Sequence, residues 1–68
     1  MLTPDRNPGY SMRELQREAE GEVVMRQRVY ENRILTGRMS RHQAEAKIRR
    51  MDAIAKLLAE LAEKERLL

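Results

Sequence analysis

Sixty-eight residues allow one domain at most, and with no cysteine and a single histidine they exclude a disulfide scaffold and a thiolate metal centre. Two tyrosines are the only aromatic side chains, helix formers dominate, and no apolar run approaches the roughly 20 residues of a membrane span. The net charge of +3 is unevenly placed: residues 26–50 hold eight basic and two acidic side chains, whereas residues 1–25 hold three basic and five acidic ones.

A chain this short buries only about 60% of its unfolded surface, so an isolated fold is marginal. Without a disulfide or a metal, the missing burial is expected from self-association or from a partner.

Pro4, Asp5, Asn7, Pro8 and Gly9 concentrate turn formers in residues 1–10, which are expected to form a flexible arm. Met1–Arg6 has neither the basic start nor the apolar stretch of a secretory signal, so the cytoplasm is the expected compartment. Ser11 and Glu14 have the spacing of a capping box and open a helix over about residues 11–36. Gly21 weakens its middle by about 1 kcal/mol relative to alanine. One continuous helix is expected there, with a kink or a short separate N-terminal helix left open.

Residues 36–40 read as a turn. Gly37 supplies the left-handed residue that ends a helix, and Ser40 with Gln43 forms a second capping box. Met39 and Ala44 have the spacing of a small hydrophobic staple across that cap. A stop signal followed at once by a start signal reverses the chain. The second helix is expected over about residues 41–66, with Ala44, Ile48, Met51, Ile54, Ala55, Leu58, Leu61 and Ala62 on its apolar side. Its other side pairs Glu45 with Arg49, Asp52 with Lys56 and Glu60 with Lys64, acid first in each case.

The expected core and dimer residues are Leu15, Val23, Tyr30, Ile34, Ile48, Met51, Ile54, Leu58 and Leu61. Val24 and Leu35 fall on the far side of the first helix, and Leu57 and Leu68 widen the apolar arc of the second. One helix–helix seam does not cover so wide an arc. The fold class is therefore all-α, an antiparallel helical hairpin expected to dimerise into a four-helix bundle.

No glycine-rich phosphate loop, nucleophile elbow, zinc-protease or calcium-loop spacing occurs. Ser11 and Ser40 are accounted for by capping, and His42 lies in the first turn of an exposed helix. No catalysis, cofactor, metal or small-molecule substrate is expected. Arg26, Arg33, Arg38, Arg41, Arg49 and Arg50, with Met25, are the expected partner contacts, because arginine and methionine are over-used at recognition surfaces.

Val29-Tyr30, Gly37-Arg38-Met39-Ser40, Ala44, Ile48 and Met51-Asp52-Ala53-Ile54 resemble the pattern of short uncharacterised helical proteins of tailed bacteriophages and prophages. The resemblance spans Glu22–Leu58. It implies a phage or prophage origin, and with it a place in the host cell cytoplasm, but no activity or site residue. The function expected first is a protein-binding module, such as a phage-encoded modulator or inhibitor of a host protein. A hairpin dimer binding nucleic acid through the basic middle segment stands as an alternative, although Tyr30 is the single aromatic residue among its arginines, too few to stack on a run of bases. A structural or assembly role is the third.

Overall fold

The computed structural model describes residues 9–67, so residues 1–8 of the expected arm and Leu68 lie outside the described residues. Two helices, α1 (Met12–Leu35) and α2 (Arg41–Leu67), pack side by side and antiparallel, and no strand occurs among the described residues.

Each helix starts on a formed capping box. The Glu14 N–H donates to Ser11 Oγ at 3.1 Å and the Ser11 N–H donates to Glu14 Oε1 at 3.0 Å. Ser40 and Gln43 repeat the exchange at 3.1 and 3.2 Å. Four orphan amide donors are thereby satisfied within their own turns.

The end of α1 is a Schellman motif. Gly37 has φ of +76°, its N–H donates to the Ile34 carbonyl at 3.1 Å, and the Arg38 N–H reaches back to the Arg33 carbonyl at 2.8 Å. Only glycine takes that backbone conformation without crowding a Cβ. Thr36 adds its side chain, with Oγ1 donating to the Asn32 carbonyl at 3.0 Å. Five residues thus reverse the chain with most of its end carbonyls satisfied.

Gly21 does not interrupt α1, which runs unbroken through it. A Cβ placed there would meet nothing within 4 Å. Gly21→Ala is therefore expected to stabilise the protein by about 1 kcal/mol, the helix-propensity difference. A shifted urea midpoint with unchanged slope is the check.

Three contacts set the register of the two helices. The Met12 N–H donates to Glu65 Oε1 at the open end, Arg26 reaches the Lys47 carbonyl in the middle, and Arg41 pairs with Glu31 at the turn end. This register brings Ala19 level with Ala55 and Tyr30 level with Ala44.

Ala19, Ala44, Ala55 and Ala62 form the core of the hairpin, with Ala44 only 1% exposed. None of the nine large side chains expected in the core or at the dimer contact is fully buried within the single chain. Leu15, Val23, Tyr30, Ile34, Ile48, Met51 and Leu58 are half-buried, while Ile54 and Leu61 are exposed. The cause is steric. Helix axes approach most closely where side chains are smallest, towards the short end of the 8–10 Å range. Alanine in the seam draws the backbones together, and leucine-sized side chains splay to either flank.

Splayed side chains leave much surface in water. The chain exposes 5660 Å², against about 4,450 Å² expected for a compact monomer of its mass. Its radius of gyration, 15.0 Å, exceeds the roughly 11 Å of a compact chain this long. The hairpin is an open two-helix layer.

Candidate interaction surface

The two flanks of the alanine seam differ in character. On one, Leu15, Glu18 and Glu22 of α1 face Met51, Ile54 and Leu58 of α2 across an open groove. Towards the turn the same flank of α1 continues with Met25, Val29 and Arg33. Leu61, three residues after Leu58, extends it along α2 towards the open end. On the other flank Gln27, Glu31, Arg41 and Glu45 surround Tyr30, Ile34 and Ile48. There the Arg41–Glu31 pair, 3.7 Å apart, spans the two helices. The hairpin thus has an apolar side and a polar side.

Helical period explains this split. Positions three and four apart stay together on a helix, which places Ile54, Leu58 and Leu61 on one edge of α2 and Glu45, Asp52 and Glu63 on the other. On the polar edge Lys56 pairs with Asp52 at 3.0 Å. Arg66 pairs with Glu63. Glu60 and Lys64, the third pair of the expected ladder, do not pair with each other or with another described residue.

The expected arginine contacts separate into distinct environments. Arg26 is part of the scaffold: its Nε meets Glu22 Oε1 at 3.0 Å and its Nη1 donates to the Lys47 carbonyl at 3.3 Å. The Arg33 guanidinium lies 5.6 Å from the centre of the Tyr30 ring, within cation–π range. Arg41 is held by Glu31, and Arg49 lies 4.0 Å from Glu45. Arg38 and Arg50 are exposed and make no ion pair with a described residue, and the same holds for Arg28. Met25 is 57% exposed beside Arg26 and Val29.

The basic middle segment therefore does not form one patch. Arg26 and Arg33 border the apolar groove, Arg41 sits on the polar side, and Arg49 and Arg50 lie on the outer surface of α2. Adjacent charges in sequence are about 100° apart around a helix, so a basic run becomes a ring. The exposed His42 lies in the first turn of α2, and no group of three or more histidine or acidic side chains comes together among the described residues. No helix among them is long and apolar enough to cross a membrane.

Sequence reasoning placed Ala19, Ala44, Ala55 and Ala62 on the apolar faces of their helices, but it missed that they alone form the seam, and it missed the Met12–Glu65 contact. A signal for the seam exists: Ala44, Ala55 and Ala62 recur at spacings of 11 and 7, which return to nearly the same side of a helix. The contact with Glu65 joins residues 53 positions apart and needs the tertiary register. No protein-family model matches the chain, and neither curated proteins nor solved structures give a significant match.

Proposed function

We propose that the chain is a non-enzymatic binding module that pairs with itself into a four-helix bundle and docks on a protein. The observation that carries this reading is the alanine seam, which leaves Ile54 and Leu61 exposed and Leu15, Met51 and Leu58 only half-buried along one flank. A flank of this kind is covered in solution by another helical layer. Pairing through the groove would bury Leu15, Met51, Ile54, Leu58 and Leu61 at once.

Covering that flank leaves a second set of apolar side chains outside. Val24 and Leu35, 55% and 78% exposed, lie on the back of α1. Arg28 follows Val24 by one turn on the same face, and neither Arg28 nor Arg38 makes an ion pair with a described residue. An acidic protein surface with an apolar centre matches this outer face. The resemblance to short phage and prophage proteins supports a host or phage protein as that partner.

Affinity capture from nuclease-treated lysate of the cell that encodes the chain tests this. A protein recovered in stoichiometric amount by the wild type, and lost with Val24→Glu/Leu35→Glu, is the expected result. That variant should keep the wild-type sedimentation, because both positions lie away from the groove. Capture abolished by nuclease would transfer the function to nucleic acid, and recovery of the chain alone would refute protein docking.

A further inference from the structure

We propose that the occupant of the apolar groove is a second copy of this chain, turned so that the two hairpin turns lie at opposite ends of the bundle. This rests on the dimer reading above and adds its orientation. Two arrangements place groove on groove. In one, both turns lie at the same end and each α1 packs on the partner's α2. In the other, the turns lie at opposite ends, with α1 on α1 and α2 on α2.

Charge decides between them. The turn half, residues 26–50, carries eight basic and two acidic side chains. The open half combines residues 9–25, with two basic and four acidic, and residues 51–67, with three basic and four acidic. The hairpin is therefore +6 at one end and −3 at the other. The groove side shows the same polarity, with Glu18 and Glu22 at the open end and Arg33 and Lys47 towards the turn. A same-ended dimer sets +6 against +6 within about a Debye length. The opposite-ended dimer lays each positive half over a negative one.

Shape and charge favour a second copy as the occupant. An identical hairpin supplies the same length of apolar groove with the complementary charge sequence in reverse.

Because the protein has no cysteine, His42→Cys and Lys64→Cys provide clean labelling sites at the two ends of α2, on exposed residues that make no ion pair with a described residue. Inter-chain distances are read by electron resonance or energy transfer for the 42–42′, 64–64′ and mixed 42–64′ pairs. Twenty-two residues of helix span about 33 Å. In the opposite-ended bundle the mixed pair is the shortest of the three, by tens of ångströms from the same-site average. A mixed pair longer than the same-site pairs overturns the orientation and leaves the dimer standing. A monomer at hundreds of micromolar removes both.

Discussion

Ala55→Leu is expected to cost about 1–3 kcal/mol of stability, the usual range for overpacking a filled core. Ala55 is 4% exposed and level with Ala19 on the other helix, so three added carbon atoms have nowhere to go while the backbones stay close. Moving the helices apart would relieve the clash. It would also stretch the Arg26–Lys47 hydrogen bond in the middle of the hairpin and the Met12–Glu65 bond at its open end. In a small domain with only a few kcal/mol to spare, a loss of that size removes much of the folded population. Ala53→Leu is the matched control: it adds the same atoms to the same helix at an exposed position and should change stability by less than about 0.5 kcal/mol. Urea unfolding of the pair separates seam packing from helix propensity. Equal stabilities for the two variants would mean that the helices do not meet at alanine.

Ile54→Glu/Leu61→Glu should leave the hairpin helical and abolish its self-association. Both side chains lie on the groove flank, 48% and 39% exposed in the single chain, and neither contributes to the alanine seam. Glutamate is a good helix former, so α2 itself is not weakened. Pairing would lose the burial of two large aliphatic side chains and would have to desolvate two carboxylates. Together these effects are worth at least about 4 kcal/mol, roughly a thousandfold in the dissociation constant. The wild type should melt at a temperature that rises with protein concentration, and the double variant at one that does not. Retained dimerisation in the variant would place the contact on another face.

The reversal of the chain was legible in the sequence because it depends on local chemistry. Ser11, Gly37 and Ser40 act through hydrogen bonds to residues within five positions, and those spacings can be read directly from the chain. The all-helical hairpin follows from them. The core was less legible. Hydrophobic periodicity ranks leucine and isoleucine above alanine, and so it marks Ile54 and Leu58 as core. The closest line between two helices instead favours the smallest side chains, and the large ones move to the edge. The expected four-helix bundle rests on the same excess of apolar surface that the splayed side chains leave in water.

The arginine surface was the hardest part to read. The spacing of Glu22 and Arg26 is visible in the sequence, but the Lys47 carbonyl that Arg26 reaches is not, because it belongs to the opposite helix. Arg41 likewise meets Glu31 only after the chain has turned. The segmental charge of residues 26–50 survives folding as a polarity from one end of the hairpin to the other. Its distribution around the helices does not survive as a patch. Charge along the long axis is a one-dimensional property, whereas a patch requires the helical phase of every residue.

Sedimentation equilibrium of the unmodified chain addresses the pairing most directly. A mass of twice the 8.0 kDa chain is expected at tens of micromolar and above. A single 8.0 kDa species at every concentration would show that the splayed flank stays in water, and pairing through the groove would have to be abandoned.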